Sequence, residues 1–142
     1  MKSAIIYTIR LTVLAAMSMI ALECHSQENA NSYREDASEM LNCAGVYLAV
    51  SEYMYVASEK YELAEFTHKT ANLLIAGAVV LLTLDKEPAP LTYAQIVSSS
   101  NKEKYIKPVF EKGYSAIDSE LTKKCEELAT AQNNLANMMT TK

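Results

Sequence analysis

Glu65 and His68 are the residues whose types and spacing come nearest to a metal-binding motif. Residues three apart on a helix share a face, so a carboxylate and an imidazole there could bind one metal ion. Di-iron helical bundles that use Glu-x-x-His need a second copy of the motif and two further glutamates. The chain has one copy and two histidines in total. We therefore expect no metal site, and a partly buried His68 beside a solvated Glu65.

The other reactive side chains do not form a catalytic arrangement in the sequence. Nucleophilic catalysis needs a nucleophile, a neighbouring base and a group that orients the base. The serines at 98–100 lack the flanking glycines of a nucleophile elbow, and no Cys-x-x-Cys-His haem motif occurs. Glu126 and Glu127 would point to different sides of a helix, whereas paired-acid chemistry needs both in one cleft. We predict no enzyme activity, no catalytic residue, no cofactor and no metal.

Composition favours one helical domain that does not bind nucleic acid. The chain has 142 residues, half of them hydrophobic, with three glycines and three prolines. Long stretches therefore lack the residues that turns and hairpins require. The net charge is −4, and no basic cluster is present to neutralise phosphates.

The N-terminal segment has the pattern of a secretory signal peptide. Lys2 and Arg10 precede a mostly apolar run of twelve residues, 11–22, and polar residues begin at Glu23. A charged start, a short apolar core and small residues before a cut are typical of such signals. We predict cleavage after Ser26, which makes residues 1–26 the signal and places the protein in the periplasm or outside the cell.

Two alternatives for this segment stay open. Cleavage after Ala21 would give a longer mature chain, and a retained segment would serve as a membrane anchor, although twelve residues are short for a span of about 20. Cleavage after Ser26, the outcome that we predict, would leave residues 27–142 as the mature domain, with 27–32 as a disordered leader. Lipidation at Cys24 is disfavoured because Glu23 stands where such sites require a small residue.

Cys43 and Cys125 are the two cysteines that remain after cleavage. An even number in an oxidising compartment predicts a disulfide, and two cysteines leave one connectivity. Closing so long a loop should stabilise the fold by roughly 4 kcal/mol. The alternative is a pair of free buried thiols in a reducing compartment.

Apolar residues at steps of three and four predict an all-α fold, a bundle of three to four helices closed by this disulfide. Residues 73–84 are apolar on every side, so we expect this part of the second helix to be central in the fold. Two prolines, Pro88 and Pro90, end that helix, whereas Pro108 suits the first turn of the last one. The predicted helices cover about 32–58, 59–84, 92–97 and 108–139. A compact bundle requires a turn near 57–60 between the first two helices, and we expect a break at 98–101 and a short turn at 102–107 before the last one.

Tyrosine is the unusual component of the composition, with nine copies. Four of them are close in sequence, and an apolar ring with a polar tip suits interfaces. They predict a partner surface, with the alternative that the rings only cover the rim of a small core. The four residues are Tyr47, Tyr53, Tyr55 and Tyr61.

Residues 43–50 (CAGVYLAV), together with a second cysteine far downstream, resemble the outline of small helical periplasmic proteins with one disulfide, such as the acid-stress chaperones. The likeness covers this short segment and the cysteine pair, and no site residue is transferred on it.

The sequence thus favours a non-catalytic, exported protein that binds a protein partner in an accessory, immunity-like or chaperone-like role. A second hypothesis is a carrier of a small apolar ligand, with residues 73–84 lining a cavity between helices. A third is a membrane-tethered accessory protein, if the N-terminal segment is retained.

Overall fold

Four α-helices and one 3₁₀ turn make up residues 32–140, the part of the chain that the computed structural model describes. Helix α1 covers residues 32–56, α2 Tyr61–Leu84, α3 Pro90–Lys112 and α4 Ser119–Thr140, and the 3₁₀ turn is Gly113–Ala116. The predicted all-α bundle is confirmed, with four helices and with a turn at 57–60 between the first two. The proposed signal peptide, its cleavage site and the leader up to residue 31 lie outside the described residues.

The Cys43–Cys125 disulfide joins α1 to α4, as the cysteine count predicts. The sulfur atoms are 2.08 Å apart and the Cα atoms 5.2 Å apart. Both cysteines are buried, and they pack with Ala44 and Leu74 in the middle of the core. Because Leu74 belongs to α2, this cluster fastens three helices together.

Helix α1, not α2, lies at the centre of the bundle. Its buried residues occur on every side of the helix, since Cys43, Ala44, Gly45 and Val46 are four consecutive buried positions. Toward its start α1 packs against α2 and α3, and toward its end against α3 and the segment before α4. Small side chains allow these neighbours to approach closely on several sides at once.

Gly45 marks the closest approach between α1 and α3. A Cβ atom at this position would lie 2.5 Å from the Cβ of Asn101 and 2.8 Å from the backbone nitrogen of Lys102. Ordinary contacts between carbon atoms are about 3.5–4.0 Å, so only glycine fits here. This contact sets the distance between the two helices.

The expectation that residues 73–84 are central is wrong, because α2 buries only one face. Leu74, Ala78 and Leu82 are buried against α1, whereas Val80 and Leu84 are 60% and 55% exposed. Among the described helices, α2 alone is long and apolar enough to cross a membrane, and one third of its most apolar window is buried in the bundle. The central place is taken by α1, so α2 is left at the surface with apolar residues facing outward.

The predicted break at residues 98–101 is also wrong, since α3 runs without interruption. Ser98 is buried, and its hydroxyl donates a hydrogen bond of 3.2 Å to the carbonyl of Gln95. A serine that bonds to its own preceding turn can stay in a helix interior. Asn101 remains helical at the close contact with Gly45, so tertiary packing overrides the local preference of these polar residues.

The start of the last helix differs from the prediction as well. Pro108 lies inside α3, because the next residue, Val109, is fully buried against Val46 and Val50. The chain instead turns at Gly113, which has a positive φ of 68°. Helix α4 then begins after Asp118, whose carboxylate accepts hydrogen bonds from the backbone amides at positions 120 and 121, at 2.9 and 3.2 Å. Such capping fixes a helix start.

Candidate binding groove between α2 and α3

A groove runs between α2 and α3 and reaches down to α1. It consists of two adjoining recesses of about 540 and 530 Å³ that share Leu48 of α1. We call it the α2–α3 groove. Its α2 wall includes Tyr61, Glu62, Glu65, His68, Asn72, Ile75, Ala76 and Val79, and its α3 wall includes Leu91, Gln95, Ser98, Ser99 and Lys102. Helix α1 contributes Leu48, Ser51, Glu52 and Tyr55, and in the first recess Lys102 is the α3 residue of the lining.

The two walls follow helical spacing. On α2 the lining residues recur at steps of three and four from Tyr61 to Val79, and on α3 from Leu91 to Lys102. Residues at such steps share one face of a helix. Each helix therefore presents a continuous stripe to the groove, and Leu48 forms the floor where the recesses meet.

One end of the groove is aromatic. The rings of Tyr55 and Tyr61 meet edge to face, with centroids 5.1 Å apart and planes at 74°. They are 61% and 55% exposed, so their pairing leaves much of both rings accessible. Both come from the end of α1 and the start of α2, which the turn at 57–60 brings together.

The same end carries negative charge. Glu52, Glu62 and Glu65 line it together with one cation, Lys102, which forms an ion pair with Glu52. Glu65 pairs with Lys69 at 2.8 Å, and this hydrogen bond and the lysine charge lower the pKa of Glu65. Glu62 has no ion-pair partner within residues 32–140. The aromatic end is thus also an acidic end.

Among residues 32–140, none that lines the other end of the groove is charged. Ile75, Ala76, Val79 and Leu91 give it an apolar surface, and the amides of Asn72 and Gln95, with the serines of α3, supply the polar groups. It is open to solvent on one side, so it is a surface groove rather than an enclosed cavity. Of the apolar run 73–84, only Ile75, Ala76 and Val79 line it.

The structure separates the four tyrosines of the predicted partner surface. Tyr55 and Tyr61 lie together in the α2–α3 groove, whereas Tyr47 packs beside the disulfide and Tyr53 packs edge to face on Phe110, with ring centroids 5.7 Å apart. Burial, with smaller contributions from nearby Tyr114 and Glu126, raises the pKa of Tyr47 to about 12. Tyr47 and Tyr53 thus pack toward α4 and the end of α3, outside the groove.

Glu65 and His68 both line the acidic end of the groove. His68 is exposed, so the expectation of a partly buried histidine is wrong. No group of three or more His, Cys, Asp or Glu side chains within residues 32–140 is arranged to hold a metal ion. These two residues therefore add polarity to the groove wall.

The α3 wall was missed at the level of sequence. Leu91, Gln95, Ser98, Ser99 and Lys102 follow helical steps, but the break predicted at 98–101 divided them between separate elements. The floor residue Leu48 continues the apolar steps of Leu41 and Ala44 along α1, so the sequence indicates a core position for it rather than a groove surface. A continuous helix through the serine run would have shown the stripe.

No protein-family model, curated protein or solved structure matches this chain.

Proposed function

We propose that this protein is an exported, non-catalytic binding protein whose α2–α3 groove receives a helix of a protein partner. The observation that carries the proposal is the gap between α2 and α3, through which Leu48 of the central helix lines an open surface. Partners that bind by helix-in-groove contacts use apolar residues at steps of three and four. Both walls of the groove already have that spacing.

The dimensions of the groove suit a helix. The α2 wall extends from Tyr61 to Val79, which at about 1.5 Å per residue is roughly 27 Å. A partner helix of about 18 residues would cover that length. Its apolar side chains would lie over Leu48 and between the two stripes.

The exposed apolar residues favour a macromolecular partner over a small ligand. Tyr55, Tyr61 and Leu91 each expose more than half of their surface along the groove. Exposed apolar and aromatic side chains at both ends of a groove are typical of an interaction site. A small ligand would cover one recess, whereas a partner helix would cover both.

The disulfide supports the proposed compartment. A buried Cys43–Cys125 bond indicates an oxidising environment outside the reducing cytosol. The finer part of the proposal is export by the signal peptide at residues 1–26, to the periplasm or beyond. Intact mass of the mature protein would test it, since an uncleaved Met1 would contradict the proposed cleavage after Ser26.

A photo-cross-linking residue at Gln95, on the groove wall, tests the binding role in cells that produce the protein. The same residue at Glu127 of α4 is the control, since it lies outside the groove. We expect a cross-linked protein from the Gln95 position that is absent from the Glu127 position. The purified partner then allows affinity to be measured.

Two matched substitutions on α3 decide whether the groove is the contact surface. Leu91 lines the groove and Ile96 does not, and both are exposed apolar residues, at 55% and 64%. We expect Leu91→Glu to weaken partner binding by roughly 10- to 100-fold, the loss of one buried apolar side chain, and Ile96→Glu to leave it unchanged. Equal effects of the two substitutions would contradict the proposal.

A further inference from the structure

We propose that the partner helix is cationic at one end, and that its lysine or arginine side chains lie over Tyr55 and Tyr61 at the acidic end of the groove. This inference rests on the proposed function, since it names the chemistry of the partner that the groove receives. It depends on the difference in charge between the two ends of the groove.

The acidic end offers two kinds of attraction to a cation. The exposed faces of Tyr55 and Tyr61 can accept an ammonium or guanidinium group by cation–π contact. Glu62 lies on the same wall without an ion-pair partner within residues 32–140, and it can pair with the arriving charge. Aromatic faces beside a carboxylate favour a cation over a neutral or acidic side chain.

The existing ion pairs at this end do not neutralise it. The Glu65–Lys69 pair is exposed on both sides, at 69% for each side chain, so it is weak and Glu65 can exchange its partner. Lys102 balances only Glu52 among the three carboxylates of the lining. A net negative charge remains to be matched by the partner.

The opposite end sets the direction of the partner. Ile75, Val79 and Leu91 line it, and no charged residue of the described part of the chain joins them in that lining. A lysine placed there would lose hydration without gaining a counter-charge. The partner helix should therefore have apolar residues at this end and basic residues at the other. One charged end and one neutral end favour one orientation of the helix over the reverse.

Charge also argues against a second copy of this chain as the occupant. The chain carries a net charge of −4, so two copies repel each other before contact. A cationic partner is attracted instead, and the attraction is greatest at the acidic end. Sedimentation analysis of the purified chain provides a direct check, since a dimer that Leu91→Glu dissociates would overturn the proposal.

Two synthetic helical peptides of about 18 residues test the inference. Both carry leucines along one face at steps of three and four. One has three lysines at one end, and the other has glutamines at the same positions. Binding to the purified, disulfide-bonded protein is measured by fluorescence anisotropy at low and at physiological salt.

The matched variants remove the same amount of charge from two places. Glu62→Gln/Glu65→Gln neutralises the acidic end of the groove. Glu111→Gln/Glu127→Gln neutralises two exposed carboxylates on α3 and α4 that lie outside the groove and, like Glu65, are near a lysine one turn away. The second variant controls for a change in overall charge.

At low salt we expect the lysine peptide to bind the unmodified protein about tenfold more tightly than the glutamine peptide, which is the scale of two exposed charge pairs. This ratio of affinities should be smaller at physiological salt, because salt screens exposed charges. The groove variant should reduce this ratio to about twofold or less, and the control variant should preserve it. Equal affinities of the two peptides, together with loss of binding in Leu91→Glu, would overturn the charge inference while supporting the groove. Failure of both peptides to bind would overturn the groove proposal as well.

Discussion

Substitution of Gly45 by alanine should destabilise this protein, although alanine is the better helix former. In a helix interior the change from glycine to alanine contributes about 1 kcal/mol of stability. At this position the new methyl group would lie 2.5 Å from the Cβ of Asn101 and 2.8 Å from the α3 backbone. Since carbon atoms pack at about 3.5 Å or more, α1 and α3 would have to separate by about 1 Å.

The expected net effect follows from these two contributions. Inserting a methyl group into a packed contact costs typically 1–3 kcal/mol, and the upper value of about 3 kcal/mol applies because the obstacle is backbone. After subtraction of the helix-propensity gain, Gly45→Ala should lower the free energy of unfolding by about 2 kcal/mol. At about 5 °C per kcal/mol for a domain of this size, Tm should fall by about 10 °C.

Gly77 provides the matched control within the same protein. The three atoms nearest to a Cβ there all belong to the side-chain amide of Gln132, with Oε1 at 2.6 Å, and that flexible end can move away. Gly77→Ala should therefore retain the propensity gain and raise Tm by up to about 5 °C. Thermal unfolding followed by circular dichroism, with the disulfide intact, compares the two variants. If Gly45→Ala is as stable as Gly77→Ala, the close contact of α1 with α3 is not as described.

Three further predictions test other parts of the fold. Replacement of Cys43 and Cys125 by alanine should lower the free energy of unfolding by about 4.5 kcal/mol, the chain-entropy value for a separation of 82 residues. Urea denaturation would measure this loss, and an unchanged denaturation midpoint would contradict the stabilising role of the disulfide. Asp118→Ala should cost about 1 kcal/mol through loss of the α4 cap, whereas Asp118→Asn should cost less, since asparagine also caps. In the folded protein the pKa of Tyr47 is raised to about 12 from 10.0, so the unfolded chain loses this proton first as the pH rises. The free energy of unfolding should therefore fall between pH 10 and pH 12, and Tyr47 should not change its pH dependence below pH 10. Denaturation in a pH series should show a smaller fall for Tyr47→Phe, and an identical fall would refute the assignment.

The parts of the fold that sequence predicts well are those with strong local signals. Pro88 lies in the loop that follows α2 and Pro90 begins α3, the two cysteines left by the predicted cleavage allow one disulfide, and steps of three and four identify α1 and α2. Each of these depends on residues close in sequence or on a count, so the rest of the fold need not be known. The turn at 57–60 was predicted only because a compact bundle requires one there.

The errors occur where distant packing decides the outcome. Ser98 and Asn101 favour a break by their local chemistry, but burial of Ser98 and the contact of Asn101 with Gly45 keep α3 helical. Pro108 favours a helix start, but burial of Val109 holds it inside α3. Neither contact can be read from a window of sequence, because the partner residues lie more than fifty positions away.

The same reasoning explains why the candidate site was only partly predicted. Tyr55 and Tyr61 were singled out by composition, and they lie in the groove. Their separation from Tyr47 and Tyr53 depends on which face of α1 each occupies and on where α4 packs. The α3 wall required a continuous helix, which the polar residues at 98–101 argued against.

The central position of α1 links the fold to the proposed function. A helix that is apolar on every side would normally be expected in the middle of a bundle, and residues 73–84 of α2 have that composition. The small residues of α1 occupy the middle instead, because alanine and glycine allow close approach of neighbours on several sides. Three helices do not enclose α1 completely, so Leu48 remains accessible between α2 and α3 and α2 keeps apolar residues at the surface. In a protein fastened by a disulfide, a partner helix in that gap would cover the surface that the fold itself leaves open.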